Sequence, residues 1–551
     1  MTSSVYSSKA LFVAFVFVLA LIEASCGDVY RPVAQVIPGT PPNPGAVHFV
    51  ITLSTNGGAD PGSADHVDVS GDTSLGAFLT GLMPVHAALT ANASRFYVAN
   101  LDDNTITANV TSSPTAASVI SLAQGAQPVF VHTAENNNVY VANFGTSTVS
   151  VINANSNALA GPDVAVGGNP VALAEMPVAG ATNQKLYVAN ENSNNVSVIN
   201  VLDDSLGTPV PIGAGQVWTV ARADGQRIYV LDKNGTVSAI STLTDTVLAN
   251  SGTASAGAGA NFMFLDAKAQ RLYVTNPSPA VHALSIFDIS EVNPAAPVNR
   301  VALIDLGQGA SPFYLPVSVS GIGDGSRAYV ASYQIAKCQP GNYDCVNTQV
   351  AVINVANNTV SKIIPIASGV PIDLANQNGC GALAPTPAAW TPAAGARFRL
   401  FATASGGGST SNFKVYVAQC DAQNVAVVDT FPANSNPADT FAGVAIPSPL
   451  SAFPGVQVGI SAAAQSSTTT TYSYVQSSAN PDLQVGQSIF ITGMSDTGNN
   501  GTFTISGGNL VAGPGNGTFT VTNASGVTNS TQSGTGAVLL RQNPVFLVAG
   551  P

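Results

Sequence analysis

The sequence predicts an all-β chain: a β-propeller of seven or eight four-stranded blades, plus a small inserted β-sandwich or barrel module. Three observations carry this. An aromatic-led strand recurs seven times, at residues 96–100, 140–143, 187–190, 229–232, 273–276, 329–332 and 416–419. From Tyr97 onward the tyrosine-to-tyrosine intervals are 43, 47, 42, 44, 56 and 87 residues. A period in the low forties built only of strands belongs to a propeller rather than a helical solenoid. Charged residues make up 8% of the chain, against about 25% in an average soluble domain, which suits short strands joined by neutral turns.

One repeat shows the blade in full. Between residues 170 and 212 there are four strand candidates, at 170–174, 186–190, 196–200 and, more weakly, 209–212. Alternation places Val188 on one face of its strand and Tyr187 and Ala189 on the other, and a blade sandwiched between neighbours buries both faces. Burying one such valine contributes on the order of 1.5–3 kcal/mol, so seven copies outweigh any single turn contact. The asparagine that ends the strand is expected to bond backbone in a tight turn and to tolerate positive φ. The two long intervals carry insertions, one between Cys338 and Cys345 and one over residues 377–396.

Two pieces fall outside the seven copies. Residues 47–53, 66–69 and 75–79 read as three strands of a blade that lacks its first, and residues 544–549 read as one orphan strand. Joined, they make an eighth blade and leave neither piece with an open edge. Between 461 and 540 the composition shifts to Ser, Thr and Gly, with short strands at 471–476, 488–493, 502–506 and 518–522. The sextets 500–505 and 516–521 echo each other, and a compact sandwich or barrel inserted ahead of the closing strand follows.

The N-terminus reads as an export signal, with Lys9 ahead of an apolar run over residues 10–22 and small residues at Ala24 and Ser25. That run is too short to span a bilayer comfortably. The expected organisation is signal peptide 1–25, tether 26–46, propeller 47–460, small all-β module 461–540 and closing strand 541–551. In an exported chain Cys338, Cys345, Cys380 and Cys420 form an even set for disulfides, with three pairings open. Pro340 and Gly341 favour a turn that brings Cys338 to Cys345, which leaves Cys380 for Cys420.

Y-V-A-N followed by N-x-V-S-V-I-N, with a G-x-x-P such as Gly167 to Pro170, resembles the YVTN-type β-propeller repeat over about residues 80–446. That family is common on bacterial and archaeal surfaces, and the resemblance implies seven blades. Ala24, Ser25, Cys26 and Gly27 resemble a bacterial lipobox, which makes Cys26 the lipid-attachment residue, although Glu23 stands where that motif usually has Leu. Acyl chains there would anchor the protein to the envelope membrane.

Chemistry is sparse in the sequence. Seventeen basic against twenty-nine acidic residues, a net charge of −12, oppose nucleic-acid binding. No haem-attachment motif, phosphate loop or nucleophile elbow occurs, no metal-ligand spacing stands out, and no cofactor is expected. His86 and His132 follow prolines of predicted inner strands and could lie near the central channel, where packed, hydrogen-bonded side chains are the plain reading. Asp102–Asp103 and Asp203–Asp204 read as solvated turn residues, and Trp218 as core. Trp390 and Tyr314 are candidates for a carbohydrate or peptide surface. The function expected is a binding or scaffolding module at a bacterial envelope, with a protein or glycan partner. The alternative is a hydrolase of the propeller lactonase kind with a cation in the channel, for which Glu135 and Glu175 are the weak catalytic candidates.

Overall fold

The computed structural model describes residues 49–550 except 57–60, 112, 177–183, 214, 253–254, 292–295, 307–312, 340–342, 373–379, 381–398, 407–412, 432–438, 447–456, 478–482, 484, 486–487, 512–513 and 540–542. The signal, the tether, Cys26 and Trp390 lie outside the described residues. Eight antiparallel sheets follow one another, each running outward from a central channel. The repeat used above becomes blade 4, with strands Pro170–Glu175, Lys185–Asn190, Asn195–Asn200 and Val210–Pro211 in that order.

Blade 1 is composite. Its inner strand, Pro544–Gly550, comes from the far end of the chain and pairs antiparallel with Phe49–Ser54, Val50 opposite Ala549. Pro61–Asp68 and Thr73–Leu82 complete it. The eight inner strands touch in sequence around a ring, and Pro544–Gly550 contacts both Leu400–Gly406 of blade 8 and Pro84–Leu89 of blade 2. The blade count is therefore eight rather than the seven that the repeat resemblance implies.

Both faces of each blade are buried, as the alternation requires. Tyr97, Tyr140, Tyr187, Tyr229, Tyr273, Tyr329 and Tyr416 are fully buried, as is Val188. The tyrosines also do something that packing alone does not explain. Each of five hydroxyls donates to a turn of the next blade: Tyr97 to Asn157 (2.8 Å), Tyr140 to Asp204 (2.6 Å), Tyr187 to Asp245 (2.6 Å), Tyr329 to Asp439 (2.8 Å) and Tyr416 of blade 8 to Asp72 of blade 1 (2.6 Å). A base two residues before the tyrosine joins the same acceptor in four of these, as Lys185 does with Asp245 (2.6 Å) and Arg95 with Asn157 (3.1 Å). Blade 5 uses Arg227 on Glu291 (2.8 Å) at the equivalent place.

The asparagine that ends the second strand bonds turn backbone as expected at Asn276, which accepts the Ser278 amide at 3.0 Å, and at Asn190, which donates to the Asn195 carbonyl at 3.2 Å. In three blades it also takes a role that was not expected. Asn100, Asn143 and Asn190 are fully buried, and none has positive φ. Their amides cross the hairpin to hydroxyls on the third strand, Asn100 to Thr107 (2.9 Å), Asn143 to Ser150 (2.7 Å) and Asn190 to Ser197 (3.0 Å). Positive φ falls instead on the turn residues Asn104 and Ser147. The cause is burial, because a strand-end amide and a hydroxyl facing each other away from water must satisfy one another.

The inserted module is a closed six-stranded barrel, ordered Gln457–Ser466, Thr469–Gln476, Gly515–Thr522, Gly501–Gly507, Ser488–Thr492 and Gly534–Leu539. The echoing sextets lie on neighbouring strands, with Ile505 opposite Val521. Gln457–Ser466 and Gly534–Leu539 were not expected, since their Gly, Ala and Ser content hides the strand signal. Tyr472, Tyr474 and Phe519 fill the barrel, and Ala77 and Leu79 of the outer strand of blade 1 pack against it. Two disulfides form, Cys338–Cys345 and Cys380–Cys420. They point to an oxidising, non-cytoplasmic location. Among the described residues no helix is long and apolar enough to cross a membrane.

The staples yield a prediction. Tyr187→Phe removes a buried hydrogen bond to a carboxylate and should lower the free energy of unfolding by about 1.5–3 kcal/mol. Asp245→Ala, which also releases Lys185, should lower it at least as much in urea denaturation.

Candidate functional site

The residues that line the channel follow from one local irregularity. The inner strands of blades 1, 2, 3, 4, 5 and 7 each carry a register shift, at Pro544/Phe546, Pro84/His86, Pro128/Phe130, Pro170/Ala172, Gln216/Trp218 and Pro316/Ser318. In all of these except blade 5, where Gln216 stands, the first residue of the shift is proline, which has no N–H for the ladder, so pairing is disturbed there and a bulge accommodates the offset. The residue two positions on then stands opposite the third residue of the Y-V-A-N strand, as His86 does with Ala99 and Phe130 with Ala142. Phe262 and Phe401 occupy the same register without the bulge, opposite Thr275 and Ala418.

These equivalent positions hold six rings. His86, Phe130, Trp218, Phe262, Phe401 and Phe546 form a closed chain of contacts around the axis, with successive ring centroids 3.9, 5.6, 4.9, 5.6, 4.4 and 4.5 Å apart. Blades 4 and 7 contribute only Ala172 and Ser318, and the rings on either side meet across them. Trp218, read from sequence as core, is indeed buried, but it also belongs to this ring.

The ring bounds a cavity of about 200 Å³ that runs to the C-terminal ends of the inner strands. Its walls are mostly apolar, including Phe264, Ile322 and Val548, and its polar groups include His132, Ser320 and Asp266. Asp266 is 5% exposed, and its Oδ1 accepts the Ala269 amide at 2.8 Å. Its Oδ2 has no hydrogen-bond partner among the described residues. Burial raises its pKa, against the pull of backbone amide bonds from Ala269 and Lys268.

His86 stacks on Phe130, and its Nδ1 accepts the Val131 amide at 3.4 Å. Part of its surface faces the cavity, yet protein surrounds it, and burial, followed by the nearby His132, pushes its pKa down to about 3. His66 of blade 1, stacked 5.5 Å from Phe49, is pushed down by burial to about 4. His132 shares a 3.0 Å hydrogen bond with Glu175, and the pair is sealed between blades 3 and 4 with exposures of 3% and 1%.

The predicted acids are placed as follows. Glu135 is exposed and meets Glu175 only through its own backbone N–H, 3.3 Å from Oε2, and neither carboxylate lines the cavity. Asp103 accepts the Leu82 amide at 2.9 Å and the Thr105 hydroxyl at 2.7 Å. Asp203 closes its own turn by accepting Ser205, whereas Asp204 takes the Tyr140 hydroxyl of the preceding blade. Tyr314 is half-buried beside the inner strand of blade 7. Among the described residues no group of three or more His, Cys, Asp or Glu side chains is arranged to hold a metal. Asp266 was not singled out from sequence, although it ends an inner strand, four residues after the ring position Phe262.

The chain matches no known family pattern and no curated protein. Among solved structures it is similar to Kuenenia stuttgartiensis hydrazine synthase, with 17% identity over 61% of this chain and 97% of that one and a TM-score of 0.39. It is also similar to the dihydro-heme d1 dehydrogenase NirN, with 10% identity, 72% and 75% coverage and a TM-score of 0.46. A protein from Bacteroides uniformis described as a 6-phosphogluconolactonase matches with 15% identity, 58% and 96% coverage and a TM-score of 0.41. The fold rests on the strand pairing of this chain itself: it is an eight-bladed β-propeller.

The depressed histidines set a pH dependence. An imidazole with a folded pKa below its unfolded value near 6.5 leaves the unfolded chain binding more protons in acid, so its stability contribution is present above pH 6.5 and is lost as pH falls toward the folded value. His86→Phe keeps the ring and removes the proton. Between pH 6 and 4 the wild type should lose up to about 1.4 kcal/mol per pH unit more than the variant in denaturant unfolding.

Proposed function

We propose that this protein is an exported, lipid-anchored binding module of a bacterial envelope, with the central cavity as its ligand site and the barrel as a second contact surface. The observation that carries the reading is the cavity: concave, mostly apolar, backed by six touching rings and supplied with few polar groups, the usual make-up of a small-molecule site. Export is supported by the apolar N-terminal segment and the two disulfides, and anchoring by the sequence around Cys26. A protein or glycan partner for the outer surfaces fits the same setting.

The test has two arms. Replacing Ala88 and Ala404, which line the cavity, with leucine should abolish capture of small molecules from envelope extract, read by mass spectrometry of the purified protein. Deleting residues 461–540 should leave that capture intact and remove proteins retained in a pull-down. For the anchor, mass spectrometry of the mature N-terminus should find Cys26 acylated, and a free Cys26 would sink that part of the reading.

A hydrolase is the second reading, and the His132–Glu175 pair is the observation in its favour, since His132 reaches the cavity and a carboxylate orients its ring. Hydrolysis in a lactone and ester panel that falls at least about 100-fold in Glu175→Gln would support it.

A further inference from the structure

We infer that the central cavity is built for a small organic ammonium: Asp266 receives the cationic head, and the apolar walls between it and the aromatic ring receive the body. This rests on reading the cavity as the ligand site and adds the chemical class of the ligand.

The argument begins with an atom. Asp266 Oδ2 is buried and without a hydrogen-bond partner among the described residues, while Oδ1 is occupied by the Ala269 amide. A buried carboxylate oxygen left unpaired is costly, and such an atom in a native fold calls for an explanation. Its direction is given by the neighbouring blade. A Cβ placed on Gly321 would come within 2.9 Å of Oδ2 and 3.1 Å of the Phe264 ring, and all three residues line the cavity. Only glycine at that position leaves room beside the carboxylate at the cavity wall.

Among the described residues no cation is hydrogen-bonded to Oδ2, and the attraction of Arg271 acts only through space, behind the repulsion of Asp324. Arg271, which lies opposite Asp266 on the next strand, is engaged with Asp288 at 2.8 Å. Asp324, in the adjacent turn, acts on Asp266 as a further negative charge. The local field therefore favours a positive ligand, as does the net charge of −12 over the whole chain.

Size and shape define the rest. Asp266 lies four residues beyond Phe262, about 13 Å along an extended strand. A ligand whose head meets Asp266 can extend its body past Phe264, Ile322 and Val548 toward the ring. An apolar cavity of about 150 Å³ accepts benzene, so the 200 Å³ here suits a benzene-sized body with a short aminoalkyl head. Ring faces carry negative charge density and so tolerate a nearby cation, whereas they repel a carboxylate.

The test titrates the full chain, carrying Trp390→Phe so that Trp218 reports alone, with 2-phenylethylamine, 2-phenylethanol and phenylacetate. Trp218 fluorescence and calorimetry are the readouts. The amine should bind about tenfold more tightly than the alcohol, the excess expected of a charge-assisted hydrogen bond, and phenylacetate should bind most weakly. Asp266→Asn keeps an oxygen for the Ala269 amide and should bring the amine to within about twofold of the alcohol while leaving the alcohol unchanged. Thermal unfolding of that variant verifies that it is folded. Equal binding of amine and alcohol, or an amine preference that survives in the variant, overturns the ammonium assignment and leaves the cavity as a ligand site. If none of the three binds, the cavity reading itself fails and the assignment falls with it.

Discussion

The pairing of Pro544–Gly550 with Phe49–Ser54 is the constraint on which the structure depends. Every blade presents a face that only another blade can cover, so a linear array would end in two apolar surfaces and an open strand edge. Closing the ring with strands from both ends of the described chain removes these edges. Asn543, just ahead of the closing strand, donates to the Cys420 carbonyl at 3.0 Å, and its backbone carbonyl accepts the Thr55 amide at 3.0 Å. The Cys380–Cys420 disulfide therefore stands beside the junction. The barrel is accommodated because it leaves and re-enters the chain just before that strand.

Between blades, the scarce charges are used economically. A base sits two residues before the tyrosine in six of the seven repeats, and in four of them it shares an acceptor with that tyrosine at a turn of the next blade. Burial raises the phenol pKa at Tyr187, and the facing Asp245 raises it further, so the hydroxyl remains a donor. Ion pairs on an exposed surface contribute little. These are half-buried, anchored to a fully buried ring, and those that cross between blades all run in one direction around the axis.

The cavity arises where the repeat departs from itself. The inner-strand register position held by His86 and Phe130 is a ring in blades 1, 2, 3, 5, 6 and 8 and small in blades 4 and 7. Eight rings would crowd the axis, whereas six meet in a closed chain. Beyond that ring the strands diverge in sequence: His132 and Ser320 stand opposite the repeat tyrosine in blades 3 and 7, and Asp266 stands opposite Arg271 in blade 6. A structural repeat thus supplies the walls, and individual substitutions within it supply the chemistry.

Much of the fold was legible in the sequence because its cause is local. The period of Y-V-A-N, the alternation around Val188 and the turn between Cys338 and Cys345 are all properties of short segments, and they led to blades, buried faces and a disulfide in the right places. The terminal strands could be matched by what each lacked. The barrel was half visible, since β-branched Thr and Val marked four strands, while Gln457–Ser466 and Gly534–Leu539 carry too little side chain to signal. The site was not legible in the same way. Asp204 looked like a solvated turn residue until the preceding blade brought Tyr140 to it, and Asn190 looked like a turn former until burial paired it with Ser197. Glu175 ends its inner strand at the place Thr133 holds in blade 3 and is sealed against His132, whereas Glu135 lies two residues past that place, in solvent. Asp266 carries no motif at all. What the sequence by itself determined is the repeating backbone and the closure it demands, because strand period and edge pairing are encoded residue by residue. Only the tertiary structure decided which side chains converge on the axis and which polar atom is left unpaired there, because those outcomes depend on eight blades meeting in a ring.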